Sequence, residues 1–237
     1  MISCQNLYFT QKNSAFKATI TNIKFEHKGI TAFIGQNGSG KTTLFKLLSG
    51  LIKPTSGYID YDGSDVFMDY EEIKDKIHLI SDQLNLYSHL TVTEHINLIK
   101  SISPIWSEEL EVKLSENFKL SGAVKIEQLS NGQLAKLKLL ISLSRMPKIV
   151  LIDEIINDLD LNTREYIYEA LDNYTYENDS FVFVATNIIE DMERYASNIV
   201  ILNEGTIVEN DTLDNLKEKH SLNLEGIYKK FISKDKK

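Results

Sequence analysis

Nine consecutive residues, Gly35-Gln36-Asn37-Gly38-Ser39-Gly40-Lys41-Thr42-Thr43, fit the phosphate-loop pattern G-x-x-x-x-G-K-[ST]. Ordinary residue frequencies put an accidental match in a chain of this length at roughly 1 in 100. Gly35, Gly38 and Gly40 let the backbone curl so that successive N–H groups, those of Gln36, Asn37 and Ser39 among them, face one point. A helix starting at Lys41 adds its positive dipole end. Such a pocket suits a di- or triphosphate. Lys41 is expected to reach the β- and γ-phosphates, the Thr42 hydroxyl to ligate magnesium, and Thr43 to support the α-phosphate.

Three further stretches carry groups that fit the same chemistry. Ile149-Val150-Leu151-Ile152 runs into Asp153-Glu154, so a buried strand delivers two carboxylates at its carboxyl end, where α/β folds bind ligands. Asp153 is expected to hold magnesium, directly or through a water, and Glu154 to orient and polarise an attacking water as general base. Ile77-His78-Leu79-Ile80 runs into Ser81-Asp82-Gln83, a polar loop suited to watching the metal or its waters. Leu129-Ser130-Asn131-Gly132-Gln133 stands before the helical stretch Leu134 to Arg145 and offers a second anion-binding helix start.

These groups need a scaffold. Ile30 to Ile34 reads as the strand before the phosphate loop, and Thr43 to Leu48 as the helix after it, with Leu44, Leu47 and Leu48 on one side and Gly50 as its stop. Ile2 to Phe25 alternates apolar and polar residues, as antiparallel strands do, with a turn at Lys28-Gly29. Tyr8, Phe9 and Phe16 are the aromatic candidates for stacking on a nucleotide base, Phe16 first among them. Lys53 to Gly57 is a turn, and Tyr58 to Asp62 a short strand closing on Asp-Gly. Thr91-Val92-Thr93-Glu94 is a capping box, and the reading stays helical to about Lys125, enough for a small lobe. Leu137, Leu140, Ile141 and Ser144 share a helix face. Ser180 to Thr186 reads as another buried strand ending at Asn187, Ile199 to Val208 as a hairpin, and Leu213 to Lys237 as a helical tail with a basic end.

The chain has 237 residues, 42% of them hydrophobic, enough for one substantial core. A formal net charge of −8 argues against a broad nucleic-acid surface, so no nucleic-acid partner is expected. A single cysteine, Cys4, excludes an internal disulfide and fits a reducing compartment. No apolar run approaches the 18 or more residues of a membrane span, and Met1 to Gln5 lacks the features of a signal peptide.

Taken in order and spacing, the phosphate loop, the Leu129 to Gln133 pentapeptide and Asp153-Glu154 resemble the ATP-binding subunit of an ABC transporter over nearly the whole chain. Gly50-Leu51-Ile52-Lys53-Pro54-Thr55-Ser56-Gly57, Leu90 to His95 and Leu202 to Gly205 look like family segments as well. The resemblance implies one α/β domain over residues 1–237. Its P-loop NTPase core would have a parallel sheet, an N-terminal antiparallel β-subdomain and a small α-helical subdomain inserted at roughly 87–128.

It further implies ATP and Mg2+ as ligands, and two such subunits packed head to tail as a homodimer or heterodimer. Ser130, Asn131, Gly132 and Gln133 of one subunit would then meet nucleotide held by the other, with Asp160 communicating between sites. A transmembrane permease would be the second partner, which places the chain peripherally on the cytoplasmic face of the cell membrane.

Several positions depart from the family pattern. Asn187 stands where a histidine normally touches the γ-phosphate. Asp82 stands where glutamine is commonest, with Gln83 one residue late. Gln11 falls at the usual adenine-stacking position, and the Pro-Thr pair after Glu154 is replaced by Ile155-Ile156.

The function these readings imply is an ATP-hydrolysing subunit that powers a separate membrane partner, exporting a peptide, drug or lipid-like compound. The rivals are a soluble ATPase of the same superfamily, in iron-sulfur assembly, translation or DNA maintenance, and a slowly hydrolysing, nucleotide-gated regulatory subunit, suggested by Asn187.

Overall fold

Successive residues of a strand face opposite sides, and β4 (Gly29–Ile34), β8 (Ile149–Asp153) and β9 (Phe181–Thr186) are apolar at nearly every position. Both their faces are therefore buried. The computed structural model describes residues 1–10, 17–20, 22–26 and 29–232. Within these, β1 (Ile2–Thr10), β2 (Lys17–Ile20), β3 (Ile23–Phe25), β5 (Ser56–Tyr61), β6 (Ser64–Asp65), β7 (Ile77–Ser81), β10 (Asn198–Asn203) and β11 (Thr206–Thr212) complete one sheet. Its order is β6-β5-β1-β2-β11-β10-β4-β9-β8-β7, with β3 paired to β1.

The run β10-β4-β9-β8-β7 is parallel, and β1 pairs antiparallel with β2, β3 and β5. A parallel bridge from Thr206 to Thr19 joins β11 to β2, so the antiparallel N-terminal strands and the parallel core form one continuous sheet.

Ridges of α1 (Lys41–Leu48) cover one face, where Leu44, Phe45, Leu47 and Leu48 pack with Phe25, Phe33, Leu151 and Phe183. Ring centroids of Phe33 and Phe45 lie 5.1 Å apart, edge to face. The other face takes Ile30, Ala32, Val150, Ile152 and Val182, covered by α5 (Asn131–Ser144), α6 (Leu161–Asn178), α8 (Leu213–His220) and α9 (Leu224–Ile232). Short helices α2 (Tyr70–Ile73) and α7 (Ile189–Tyr195) bridge strands at the periphery.

The inserted segment folds as α3 (Val92–Ile102) and α4 (Glu108–Phe118), with its capping box formed as read: Thr91 Oγ1 accepts from the Glu94 amide at 3.2 Å. Pro104 ends α3, because the residue before a proline is forced out of the helical region; Ser103 sits at ψ 126°. Ser107 then caps α4. Val92, Ile96, Leu114 and Phe118 join the same hydrophobic cluster as Leu137 and Leu140 of α5, so this segment leans on the main core. The tail likewise divides, at Ser221 with φ 52°, into α8 and α9. Residues 233–237 and Lys28 of the expected turn lie outside the described residues.

Candidate nucleotide site

Parallel register carries the chemistry to one edge. Ser81 pairs with Asp153, Asp153 with Ala185, and Phe33 with Ala185, so the loops leaving β7, β8, β9 and β4 all start at the same level. The phosphate loop turns with Gly38 at φ 83° and Gly40 at φ 105°, the latter capping α1, conformations a side chain resists. Gly35 is needed for a different reason. A Cβ there would lie 2.4 Å from Ser39 Oγ and 2.7 Å from the Leu202 carbonyl, so only glycine lets these segments meet.

Lys41 is 3% exposed, and its ammonium donates to the carbonyls of Gly35 at 2.8 Å and Gln36 at 3.1 Å. Its remaining charge meets Glu154 Oε1 at 3.0 Å. Glu154 itself sits in the left-handed region at φ 59°, held there by its amide donating to the Ala185 carbonyl at 3.2 Å. The Thr42 hydroxyl donates to Asp153 Oδ1 at 3.1 Å. Burial raises the Asp153 carboxyl above its ordinary range, against the Thr42 hydrogen bond, and the neighbouring Glu154 adds to the rise.

A cavity of about 210 Å³ is lined by Asn37, Gly38, Gly40, Lys41, Thr42, Thr43 and Glu154. A second, of about 350 Å³, is lined by Asp82, Asn131, Leu134, Ala135, Lys138, Glu154, Ile155, Asp158 and Leu159. Glu154 belongs to both. The donor set fits a magnesium-bound polyphosphate: a buried ammonium, loop amides at a helix start, and two hard oxygens, Thr42 Oγ1 and Asp153 Oδ1, close enough to share one cation. Among the described residues no three His, Cys, Asp or Glu side chains gather into a metal cage, so such a cation would keep ligands from water and phosphate. The buried Ser39 hydroxyl, without a hydrogen-bond partner among the described residues, is a further polar group at the loop.

Other residues singled out in the sequence fall differently. Of the pair Asp82 and Gln83, Asp82 lines the cavity with Glu154 and Gln83 does not. Ser130 and Gln133 cap α5 reciprocally: Ser130 Oγ accepts from the Gln133 amide at 3.3 Å, and Gln133 Oε1 accepts from the Ser130 amide at 2.9 Å. That helix begins at Asn131, three residues before the apolar pattern does. Ser130, Gly132 and Gln133 line neither cavity, so the chain does not bring them to its own phosphate loop.

Asp160 caps α6, accepting from the Thr163 amide at 3.0 Å, and also stays outside both cavities, as does the exposed Asn187. Before Asn187, the Thr186 hydroxyl donates to Asn157 Oδ1 at 2.7 Å and accepts from the Ile188 amide at 3.0 Å, which ties the strand end to the loop after Glu154. Phe16 and Gln11 lie outside the described residues, and Phe9 packs against the core instead.

One side chain at the site had no place in the sequence reading. Lys138, in the middle of α5, is 8% exposed and lies in the second cavity. Its signal was a charge flanked by Leu137 and Leu139 and followed by the apolar run Leu139-Leu140-Ile141.

Comparison with known proteins gives the family. Residues 19–157 match the family described as ABC transporter. The bacitracin transport ATP-binding protein BcrA of Bacillus licheniformis is 29% identical over 206 residues, 86% of this chain and 67% of that protein. The choline transport ATP-binding protein OpuBA of Bacillus subtilis is 28% identical over 91% of this chain; the chain spans only 58% of its length. Among solved structures, the ATP-binding cassette MJ0796, dimeric and bound to ADP and Pi, superposes with a TM-score of 0.76 at 25% identity, over 90% of this chain and 98% of that one. With its matched segment, its sheet and its glycine-rich loop in agreement, this chain belongs to the ABC transporter family as one of its ATP-binding cassettes.

Proposed function

We propose that the chain binds Mg-ATP between its phosphate loop and a second cassette, hydrolyses it, and thereby drives a transmembrane permease that exports a peptide, drug or lipid-like compound. The observation carrying this reading is the convergence of Lys41, Thr42 and Glu154 on one small cavity, with Asp153 hydrogen-bonded to Thr42 behind it. Bound magnesium would supply charge neutralisation on the phosphate oxygens. Lys41 exchanges its Glu154 partner for phosphate oxygens while its two carbonyl bonds hold it in place. Glu154, so released, is free to accept a proton from an attacking water. Thr42, at the start of α1, and Asp153, at the end of β8, would hold the cation.

Ser130, Gly132 and the start of α5 stand outside this cavity, as expected of groups that serve the nucleotide of a neighbouring subunit. The dimeric state of the ADP-bound cassette supports that arrangement. The cargo class leans on the bacitracin relative; the choline relative, at nearly the same identity, leaves a small organic cation as the second reading.

Calorimetry tests the core claim. The native protein should take up Mg-ATP, Lys41→Ala should lose at least about tenfold in affinity, and Glu154→Gln should bind while hydrolysing at least about 100-fold more slowly. Equal uptake by native protein and Lys41→Ala would refute the site.

A further inference from the structure

A lysine buried in the hydrophobic side of a helix is costly unless its donors are met, and an apolar residue of the same length would cover the same surface without that cost. Lys138 is such a residue. Its neighbours Leu137, Leu139, Leu140 and Ile141 belong to the core, and its ammonium emerges under the loop that follows β7. There it donates to the carbonyls of Ser81 at 3.0 Å and Asp82 at 3.3 Å. The Ser81 carbonyl also accepts from the Leu84 amide at 3.1 Å, so Lys138 is tied into the hydrogen bond that shapes the turn.

Asp82 Oδ1 lies 3.8 Å away, but the Asp82 side chain is 89% exposed while that of Lys138 is 11% exposed. An ion pair so open to water contributes little. The hold is therefore chiefly on the backbone of Asp82, and its exposed carboxylate stands at the rim of the cavity that also contains Glu154 and Asp158. The third link is covalent. Lys138 is two turns along the same helix whose first residues follow Ser130, so the loop and the pentapeptide are fastened to one rigid rod.

We infer that Lys138 is a positioning residue for the metal side of the site: it fixes the Ser81–Asp82 backbone so that Asp82, and not Gln83, faces the cavity, and it makes that loop move with the Ser130 end of α5. This rests on the nucleotide reading above. Movement of α5 when a neighbouring subunit engages Ser130 would then shift Asp82 relative to Glu154 within the same chain.

Hydrogen exchange and magnesium dependence test this together. In nucleotide-free protein, Lys138→Met, which keeps length and apolar cover, should speed exchange of the amides from Asp82 to Leu86 by about tenfold, the scale of one lost charge-assisted hydrogen bond, with the thermal midpoint kept or raised. Asp82→Asn, which retains both carbonyls, should leave that exchange unchanged. Lys138→Met should also raise the Mg2+ concentration for half-maximal ATP hydrolysis several-fold, a change that simple loosening of the fold would not produce.

Unchanged exchange in Lys138→Met, or equal loosening by Asp82→Asn, would overturn the backbone hold. Faster exchange with an unaltered Mg2+ requirement would reduce Lys138 to a strut and overturn its role toward the metal. Native protein that takes up no Mg-ATP would bring down the nucleotide reading, whereas uptake with unaltered exchange brings down only Lys138.

Discussion

At residue 187 the chain places an exposed asparagine just past the end of β9. An asparagine amide donates a hydrogen bond to a phosphate oxygen, but it carries no charge and passes no proton. Its backbone is set by Thr186, pinned between Asn157 and the Ile188 amide, so a different side chain at 187 would start from the same place. Asn187→His should therefore raise steady-state ATP turnover about tenfold or more, with Mg-ATP affinity nearly unchanged and the gain absent in the Glu154→Gln background. Turnover that stays level would mean that Asn187 imposes no handicap. Most of the site's residues were legible in this way, since Lys41, Thr42, Asp153 and Glu154 stand in a motif whose chemistry dictates its types. Gly35 was legible as a glycine but not for its reason: its need comes from Leu202 and Ser39 pressing on the loop, a long-range contact no local pattern contains.

Among the elements, β7 lies at the edge of the sheet yet keeps His78 at 8% exposure, because α5 closes over it. Burial pushes the His78 imidazole down to about 3, the positive charge of Arg145 adds to this, and a backbone hydrogen bond with Ser142 opposes it. The folded protein thus holds His78 neutral where the unfolded chain, titrating near 6.5, takes up a proton. Stability from this site is full above about pH 6.5 and falls as pH drops toward 3, by at most about 1.4 kcal/mol per pH unit. Denaturant unfolding between about pH 7 and about pH 4 should show this slope reduced in His78→Leu; an identical slope in both proteins would contradict it.

Strands and helices with clean aliphatic periodicity, such as β4, β8 and α1, were readable because one interaction decides them. α6 is harder. Its buried stripe runs Ile167, Tyr168, Leu171, Tyr174 and Thr175, and the hydroxyls of its tyrosines dilute the apolar signal. The start of α5 was misjudged by three residues because Asn131, Gly132 and Gln133 are set by the Ser130 cap and not by apolar spacing.

For the whole molecule, the order of the sheet could not be read from the chain, since β4 lies between β10 and β9 in space but far before both in sequence. That Gly132 would serve a neighbouring subunit's nucleotide came from the family resemblance and not from any local pattern. The structure sharpens that point. A Cβ on Gly132 would meet nothing nearer than Thr163 Cγ2 at 3.5 Å, an ordinary contact, and the residue lies in the first turn of a helix without a positive φ. Nothing among the described residues demands glycine there, and the proposed approach of a neighbouring subunit's nucleotide would supply such a demand.

In the Glu154→Gln background, where bound ATP persists, sedimentation should show monomers without nucleotide and dimers with Mg-ATP. Adding Gly132→Ala should leave monomer stability equal or raised by up to about 1 kcal/mol, since alanine favours helix. The same change should weaken ATP-driven dimerisation at least about tenfold, because a methyl group now stands between backbone and phosphate across the interface. Dimers forming as readily in the Gly132→Ala protein as with the native glycine would show that the start of α5 does not approach a neighbour's nucleotide, and each cassette would then have to complete its site alone.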